Sequence, residues 1–389
     1  MRRVAVLALV VLALAAAPAA AQQSVGDVVT FLVTNQAVQT SEAQRDRATA
    51  QAARDTIARA LLLNLTSSPL ASSSSGFLYK LNPRLGTVER ATQSFGSFFV
   101  ERAQTVGKGR ASIGMSAGSA TFDRLDGLHL KDGTLVTVAN QFRDETTPFE
   151  TESLTLDVSS RTMTLLGTVG VSDNLEIGAA VPLLDLTING RRNTIYRGQN
   201  FLQAAGEGTA QGIGDLAIRA KYMVYSGGST AVAAGGEVRL PTGDEANLLG
   251  TGSTAYRLIG IVSYEPGAFG LHGNAGLVRG GVSDEETFAG AGSYAVSPRV
   301  TISGEVLVRR VAELREVGFL RAPHPTIGGV DTIRLSAIGD SGTTIANAVA
   351  GVKWNVGSTL VIGGHIAVPL RQRGLTAPFI PTVALEFGF

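Results

Sequence analysis

Hydrophobic and polar residues alternate with a period of two over most of the chain after residue 110. The end of the chain is the clearest case, because Val383, Leu385, Phe387 and Phe389 alternate with small or charged residues. A period of two places alternate side chains on opposite faces of a β-strand. One face of each strand is therefore apolar, and the other carries charged residues or glycine. This pattern excludes a mainly helical fold for the larger, C-terminal part of the chain.

Twelve segments carry the alternation and are predicted to be strands. They are 110–123, 152–171, 175–189, 213–225, 230–241, 253–264, 269–280, 286–296, 299–312, 343–356, 359–371 and 377–389. Short turns alternate with longer connections, which are predicted to be loops at 124–151, 190–212, 242–252, 281–285, 313–342 and 372–376. An even number of strands with short turns at one end and long loops at the other is typical of single-chain bacterial outer-membrane barrels.

We therefore predict an all-β fold, an antiparallel up-and-down transmembrane β-barrel of about twelve strands, with fourteen as the alternative count. A soluble β-sandwich also alternates its faces and is the main structural alternative. The barrel is favoured because the apolar faces form a continuous band and aromatic residues lie near the strand ends, as in the girdles of membrane barrels. The composition agrees, since 44% of the residues are hydrophobic and only 17% are charged.

The first 21 residues have the features of a secretory signal peptide. Arg2 and Arg3 precede an apolar run over 4–17, and small residues at 18–21 form a cleavage site. The run is shorter than the roughly 20 residues that a membrane-spanning helix needs. The chain is therefore predicted to be exported and to reside in the cell outer membrane.

Residues 22–107 are predicted to form a helical and irregular segment that precedes the barrel at 108–389. Within it, Ala50, Ala53, Ile57 and their successors recur every three or four residues, which predicts a helix over 24–65. Proline and serine residues at 69–75 then predict a loop. The segment would serve either as a plug in the barrel or as a periplasmic extension.

The last strand is similar to the terminal signature of bacterial outer-membrane proteins. It ends in Phe389, with Val383, Leu385 and Phe387 at two-residue steps before it. In those proteins this segment is read by the barrel-assembly machinery. The resemblance therefore implies that machinery as a partner, in addition to outer-membrane lipid.

Two glycine-containing motifs flank one predicted hairpin. Gly212-Ile213-Gly214-Asp215 precedes it, and Leu240-Pro241-Thr242-Gly243-Asp244 follows it. In this order the motifs resemble a family of outer-membrane barrels that is named for a phenol meta-cleavage degradation pathway and labelled as transporters. The resemblance covers roughly residues 150–300 and leaves the helical region outside. It implies a pore or uptake role for small hydrophobic or aromatic solutes.

Strand parity assigns a set of polar residues to the inward face of the barrel. They are Asp215, Arg219, Lys221, Glu237, Arg239, Arg257, Glu305, Arg309, Lys353, His365, Arg371 and Glu386. Desolvating an unpaired ion costs several kcal/mol, so these side chains are predicted to be hydrated or paired with one another. Arg219 is predicted to lie opposite Glu237. Two roles stay open for the set, a structural ladder that stiffens the wall and a lining that selects solutes.

No catalytic constellation emerges, so neither enzyme activity nor a cofactor is predicted. Ser116 lies in a G-x-S-x-G pattern, but within a predicted strand rather than at the strand-to-helix turn that a nucleophile elbow requires. The four histidines share no metal-ligand spacing, so no metal site is predicted. Gly206, Gly208 and Gly212 miss the dinucleotide-binding spacing and are predicted to be loop glycines. A net charge of +1 gives no reason to expect nucleic acid as a partner.

The expected function is an outer-membrane pore or facilitated-uptake channel for small molecules. Twelve strands make a barrel wider than the eight-strand barrels that side chains fill and narrower than the open 16–18-strand porins. The pore is therefore predicted to be narrow or plugged, either by residues 24–107 entering from the periplasm or by the loop 313–342. The alternative function is a structural outer-membrane barrel whose N-terminal segment binds a periplasmic partner.

Overall fold

The computed structural model describes residues 23–34, 43–65, 71–73, 76, 78–82, 87–90, 92–339, 342–357 and 359–389. The predicted signal peptide at 1–21 lies outside these residues. Two helices, α1 (Val25–Val33) and α2 (Ala43–Leu65), precede the strands. In the part of the chain that the structure describes, neither helix combines the length and hydrophobicity that a membrane span requires.

The strands follow the helices without further α-helix in the described residues. In chain order they are β1 (Tyr79–Asn82), β2 (Thr87–Arg90), β3 (Ala111–Phe122), β4 (Arg124–Leu125), β5 (Leu128–His129), β6 (Leu135–Phe142), β7 (Glu150–Gly170), β8 (Leu175–Tyr196), β9 (Gln199–Ile213), β10 (Leu216–Gly227), β11 (Thr230–Leu240), β12 (Ala255–Tyr264), β13 (Phe269–Gly280), β14 (Glu285–Ser297), β15 (Val300–Val311), β16 (Glu316–Pro323), β17 (Val330–Ile338), β18 (Thr343–Asn355), β19 (Leu360–Pro369), β20 (Leu375–Thr376) and β21 (Ile380–Gly388).

Twelve of these strands close into an antiparallel barrel. Hydrogen-bonded neighbours follow one another around the wall in the order β3, β7, β8, β10, β11, β12, β13, β14, β15, β18, β19 and β21. The last strand pairs back onto the first, from Thr382 opposite Gly118 to Gly388 opposite Ser112. The predicted twelve-strand barrel is confirmed, because the alternation in the sequence follows the inward and outward faces of the wall.

The two ends of the barrel differ, as the connection lengths predicted. Short turns such as 171–174 and 265–268 lie at one end, which we call the short-turn end. The connections between β11 and β12 and between β15 and β18 lie at the other, the long-loop end. The positions of lumen residues are given below relative to these two ends.

Seven additional strands lie where loops were predicted, and four of them, β6, β9, β16 and β17, belong to the sheet of the barrel. These four occupy most of the segments 124–151, 190–212 and 313–342. β7 and β8 run past the barrel and pair with each other along their whole length, while the outer part of β8 pairs with β9 instead of β10. The prediction of loops was wrong because the inward face of this extension packs against α1 and α2, so small residues such as Gly190 and Gly208 interrupt the alternation there.

Helix α1 begins with a capping box and packs into the extension. The Ser24 hydroxyl accepts a hydrogen bond from the Asp27 N–H, and the Asp27 carboxylate accepts one from the Ser24 N–H. The valines and Leu32 of this helix are buried against β8 and β9. A Cβ at Gly190 would overlap the Leu32 side chain, so glycine is required there for the helix to approach the sheet.

Two of the predicted loop glycines lie in this same contact. Gly206, Gly208 and Gly212 are on β9, and added Cβ atoms at the first two would lie 3.3 Å from the Val28 side chain. The prediction of loop residues was wrong, because all three lie on a strand and the first two leave space for a helix. The pattern of small residues could not reveal this without knowledge of the strand that carries them.

Helix α2 also packs in the long-loop end. Ala53, Ile57, Leu61 and Leu65 are buried, so the predicted apolar face of this helix is confirmed. It contacts β16, β17 and β20, and the Asn64 side chain donates a hydrogen bond of 3.1 Å to the Leu375 carbonyl. Both helices therefore lie at the end opposite to the short turns.

Candidate functional site

The inward face of the barrel holds most of the side chains that parity assigned to it. Eleven are buried or half-buried, namely Asp215, Arg219, Lys221, Glu237, Arg239, Arg257, Glu305, Arg309, Lys353, His365 and Glu386. Arg371 is exposed in the connection after β19, and its assignment to the lumen was wrong. The strand ends at Pro369, two residues earlier than the alternation predicted.

The predicted register of β10 and β11 is confirmed, although the ion pairs are different. Arg219 lies opposite Glu237. The carboxylate of Glu237 binds Arg239 at 2.8 Å, two residues further along the same strand. Arg219 instead reaches into the lumen and pairs with Glu101 at 3.3 Å. The inward charges therefore bind a segment that the wall encloses, as well as one another.

Residues 92–108, which we call the lumen segment, cross the barrel interior without forming a helix or strand. Glu305 on β15 holds the middle of this segment. Its carboxylate accepts hydrogen bonds from three successive backbone N–H groups, those of Phe98, Phe99 at 2.9 Å and Val100 at 3.0 Å. Lys353 donates to the Ser97 carbonyl at 2.9 Å. Strands β15 and β18 thus fix one bend of the segment through charged groups.

Uncharged side chains of β12 and β13 hold the next residues. The Asn274 side chain accepts from the Glu101 N–H at 2.7 Å and donates to the Glu101 carbonyl at 3.0 Å. The Ser263 hydroxyl accepts from the Ala103 N–H at 2.9 Å. Because buried backbone groups need partners, these side chains replace the β-ladder that the segment lacks.

Arg102 is the most deeply buried basic residue of the lumen segment. Its side chain is fully buried and lies 3.4 Å from Glu265. It also donates to the carbonyls of Ser94 at 3.3 Å and Gly76 at 2.8 Å. An added Cβ at Gly96 would lie 2.6 Å from its Nε atom. The guanidinium therefore joins three parts of the chain and leaves no room for a side chain at residue 96.

The segment is fastened again at the short-turn end. Glu176 on β8 is almost fully buried and accepts from the Val106 N–H at 2.9 Å and the Ser73 hydroxyl at 2.6 Å. Lys221 pairs with the same carboxylate at 2.9 Å. The Thr105 hydroxyl donates to the Asp173 carbonyl in the first short turn. The chain thus leaves the lumen beside the start of β3.

Apolar side chains of the lumen segment fill the space between these polar contacts. Phe95, Phe98, Val100, Ala103 and Val106 are all buried. Val100 packs with side chains of β14, β15 and β18, and Ala103 packs with side chains of β11 and β12. The segment therefore contacts the wall on several sides and blocks the lumen in its short-turn half.

A cavity of about 230 Å³ remains in the lumen above the segment. We call it the chamber. The rings of Phe98 and Phe99 lie on its short-turn side, and Asn64 and Leu65 of α2 lie on its long-loop side. His365 lines the chamber and packs against Phe98, with ring centroids 4.4 Å apart. The interior of the barrel is thus divided into a blocked part and an open part.

Above the chamber, a buried ion pair links the wall to α2. Arg309 on β15 and Glu285 on β14 form a bidentate contact with distances of 2.8 and 2.6 Å. Arg309 also donates to the Leu63 carbonyl at 3.3 Å. Because a helix C-terminus exposes unpaired carbonyl groups, the guanidinium satisfies one of them. The end of α2 is thereby anchored over the chamber.

The two glycine motifs form one compact turn at the long-loop end. The Asp215 carboxylate accepts from the Gly243 N–H at 3.1 Å, and from the N–H and hydroxyl of Thr251 at 2.9 and 2.8 Å. Gly243 and Gly250 are in contact, and a Cβ on either would lie within 2.8 Å of the other's backbone. The motifs therefore encode a turn that tolerates no side chain at its centre.

This turn also holds helix α1. The Ala246 carbonyl accepts from the Gly26 N–H at 3.0 Å, and the Asn247 side chain accepts from the Val25 N–H at 3.1 Å. Asp244 binds Asn247 within the turn. No cluster of three metal-ligating side chains occurs among the described residues. The acidic residues here contribute to a protein contact.

We expect Asp215→Asn to loosen the turn and release α1. The substitution leaves one acceptor oxygen where the carboxylate offers two, and hydrogen bonds to charged groups contribute about 1.5–3 kcal/mol each. Limited proteolysis of the intact barrel should therefore cleave the 241–254 connection about tenfold faster. Asp185→Asn, which alters a half-buried carboxylate bound to Gln211, is the control. Equal cleavage of both variants would contradict this role of Asp215.

The outward face of the barrel is apolar, in contrast to the lumen. On β12, Tyr256, Leu258, Gly260, Val262 and Tyr264 are all exposed, while the residues that alternate with them are buried or half-buried. The predicted assembly signal has the same character, since its residues on and after β21 point outward. They are Val383, Leu385, Phe387 and Phe389, with 40–63% of each surface exposed. An apolar belt of this kind suits a barrel surrounded by lipid.

Several residues that line the lumen were not predicted from the sequence. Glu176, Ser263 and Asn274 are inward residues that bind the lumen segment, and Glu285 pairs with Arg309. The parity of β8 could have identified Glu176, because it alternates with outward residues. Glu285 was missed because the predicted strand began one residue later. Ser116 lies in the middle of β3, on a strand as predicted.

Comparison with known proteins gives a family match and several structural likenesses. The chain aligns at 14% identity with a crystal structure of an outer membrane channel from Pseudomonas putida F1, with a TM-score of 0.44, covering 74% of this chain and 98% of that one. The KdgM porin aligns at 7% identity with a TM-score of 0.38, covering 72% and 99%. The NanC porin aligns at 6% identity with a TM-score of 0.37, covering 71% and 98%. A search of curated proteins finds no match.

The family match includes both glycine motifs. A family model described as "Putative MetA-pathway of phenol degradation" matches residues 132–319. This stretch contains β6 to β15 and therefore most of the charged side of the lumen. The resemblance indicated by the motifs is confirmed, and over residues 132–319 the chain is similar to the phenol-pathway family of barrels.

Proposed function

We propose that this protein forms a plugged pathway for small molecules across the bacterial outer membrane. The observation that carries the proposal is the division of the lumen, in which the lumen segment blocks one half and a chamber of about 230 Å³ occupies the other. The apolar outward belt and the even strand number support the membrane placement.

In this proposal the lumen segment is the gate. It is held by side chains of the wall rather than by a β-ladder, so each contact can be exchanged for a water molecule without unfolding a strand. The groups left behind, including Glu305, Asn274 and Ser263, would then line a hydrated path. By the usual orientation of such barrels, the long-loop end faces the exterior and the short turns face the periplasm.

The proposed solutes are small and hydrophobic or aromatic, as the family resemblance implies. Phe98, Phe99 and Leu307 give the chamber an apolar side. Outer-membrane lipid and the barrel-assembly machinery are the proposed partners of the outward face and of the last strand. The alternative function, a scaffold that binds a periplasmic partner through its N-terminal segment, is not favoured, because α1 and α2 pack at the long-loop end.

Planar-bilayer conductance tests the proposal. We expect the full mature chain to show small or infrequent openings, and a version that starts at Lys108 to conduct severalfold better, because it lacks the lumen segment. Heat-modifiable migration on gels verifies that both barrels are folded. Absence of conductance from two folded barrels would contradict the pathway.

A further inference from the structure

Three charged residues lie side by side on the inward face of three successive strands. Arg219 on β10 is opposite Glu237 on β11, and Glu237 is opposite Arg257 on β12. The Glu237 carboxylate binds Arg239 at 2.8 Å, further along its own strand. Two guanidinium groups therefore flank a carboxylate whose ion pair is with a third.

Both flanking guanidinium groups have N–H groups that no acceptor in the described part of the chain satisfies. Arg219 donates through Nη1 to the Ala71 carbonyl at 2.9 Å and the Glu101 carboxylate at 3.3 Å, while its Nε and Nη2 atoms are buried without a partner. The Nε atom of Arg257 is also buried without a partner, and among the described residues Arg257 forms no ion pair within 4.0 Å. Buried N–H groups normally have partners. These donors therefore indicate an acceptor from outside the described chain.

A small cavity borders these donors, and we call it the arginine cavity. It measures about 40 Å³, and Arg219, Arg257 and Phe99 of the lumen segment line it. Gly178 on β8 lies opposite Arg219, and an added Cβ there would lie 3.3 Å from the Arg219 Nε atom. One water molecule needs roughly 10–15 Å³ of such volume. The arginine cavity therefore has room for a small ion or a few water molecules and excludes an organic solute.

The charges around the arginine cavity do not cancel. Among the described residues, four basic side chains lie on or beside it against three acidic ones, namely Arg219, Lys221, Arg239 and Arg257 against Glu101, Glu176 and Glu237. Lys221 pairs with Glu176 at 2.9 Å. With Arg219 bound to Glu101 and Arg239 bound to Glu237, the charge of Arg257 is in excess. Burial of an uncompensated ion costs several kcal/mol, so the cavity favours one negative charge.

We propose that the arginine cavity is a binding site for one small monovalent anion of the halide class. The anion accepts hydrogen bonds from the unpaired N–H groups of Arg219 and Arg257 and neutralises the charge of Arg257. Phe99 covers the site, and Arg219 also holds Glu101. A bound anion therefore fastens the lumen segment to β10 and β12. The inference does not depend on the proposed pathway, because it concerns how the lumen segment is held.

Urea unfolding of the full mature chain in lipid vesicles, followed by the fluorescence of Trp354, tests the site. Vesicles are prepared in sodium chloride or in sodium gluconate of the same concentration, because gluconate is too large for the cavity. A ligand that binds only the folded state shifts the unfolding equilibrium by a factor set by the ratio of its concentration to its Kd. We expect about 0.1 M chloride to lower the unfolding equilibrium constant about three- to tenfold relative to gluconate, with saturation. Equal stability in the two salts would overturn the proposal.

Arg257→Met removes the guanidinium and keeps an unbranched side chain. It should abolish the difference between chloride and gluconate, whatever its effect on stability itself. Arg310→Met is the matched control, because Arg310 is an exposed arginine on the outward face of β15, and it should keep the difference. A difference that persists in Arg257→Met would show that chloride acts elsewhere and would overturn the site.

Bromide gives a direct readout that needs no variant. In crystals of the full mature chain grown in sodium bromide, we expect anomalous difference density between Arg219 and Arg257. Water alone at this position would overturn the proposal.

The anion site and the pathway are tested separately. Chloride-dependent stability in a barrel that never conducts supports the anion site and overturns the pathway. A barrel that conducts but is equally stable in chloride and gluconate overturns the anion site and leaves the pathway intact.

Discussion

Glu305→Gln should increase the open probability of the channel about tenfold or more. The Glu305 carboxylate is the acceptor for the N–H groups of Phe98, Phe99 and Val100. A glutamine offers one acceptor oxygen, and its NH2 group would face backbone N–H groups from which it cannot accept a hydrogen bond. Hydrogen bonds to charged groups contribute about 1.5–3 kcal/mol, and 1.4 kcal/mol is a factor of ten in an equilibrium. Single-channel recording of the full chain measures the effect.

The control for this prediction is Glu286→Gln. Glu286 lies on neighbouring strand β14, is exposed, and contacts exposed Arg310 at 3.8 Å. It should leave the open probability at the wild-type level. If Glu305→Gln behaves like this control while the version starting at Lys108 conducts freely, the carboxylate is not what holds the lumen segment in place.

Glu285→Ala should destabilise the folded barrel by about 3–5 kcal/mol, because it leaves the buried guanidinium of Arg309 without its partner. Both side chains are at least nine-tenths buried and joined by two hydrogen bonds. Urea unfolding in lipid vesicles, followed by the fluorescence of the single tryptophan, Trp354, gives the change in free energy of unfolding. Proteolysis of α2 should also accelerate, since Arg309 anchors Leu63.

The same two strands provide a control pair one residue further along. Glu286 and Arg310 form an exposed contact outside the barrel, and such pairs contribute less than about 1 kcal/mol. Glu286→Ala should therefore have little effect. Replacing both inner residues, Glu285→Leu with Arg309→Met, should recover most of the lost stability because no unpaired charge remains. Equal losses from Glu285→Ala and Glu286→Ala would refute the assignment of an inner and an outer pair.

The sequence predicted the barrel well because lipid and lumen impose opposite demands on alternate residues. Leu258 and Arg257 are neighbours in the chain, yet one is exposed on the outward face and the other is half-buried inside. The register of Arg219 and Glu237 was also predictable, because the turn between their strands is short. Strand periodicity and turn length are local properties, so they can be predicted from a single sequence.

The prediction failed where partners are distant in the chain. Arg219 binds Glu101, 118 residues away, and Glu305 binds the backbone at residues 98–100, where no side chain signals the contact. The extension beyond the membrane was missed for a related reason. Gly190 and Gly208 leave the space that α1 needs to pack on the sheet. In the sequence, a stretch rich in glycine resembles a loop. Long-range packing of this kind produces no periodic pattern in the sequence.

The direction in which the N-terminal segment runs has a consequence for how the protein reaches its final form. Helices α1 and α2 lie at the long-loop end of the closed barrel, while β3 starts at the short-turn end. The lumen segment therefore runs through a closed ring of strands. Closing the ring around the segment pairs the buried wall carboxylates of Glu305 and Glu176 as the wall forms, whereas inserting the segment later would leave them buried without partners. We therefore expect the seam between β3 and β21 to close last, around a segment already inside, which makes that segment an internal template for the barrel that surrounds it.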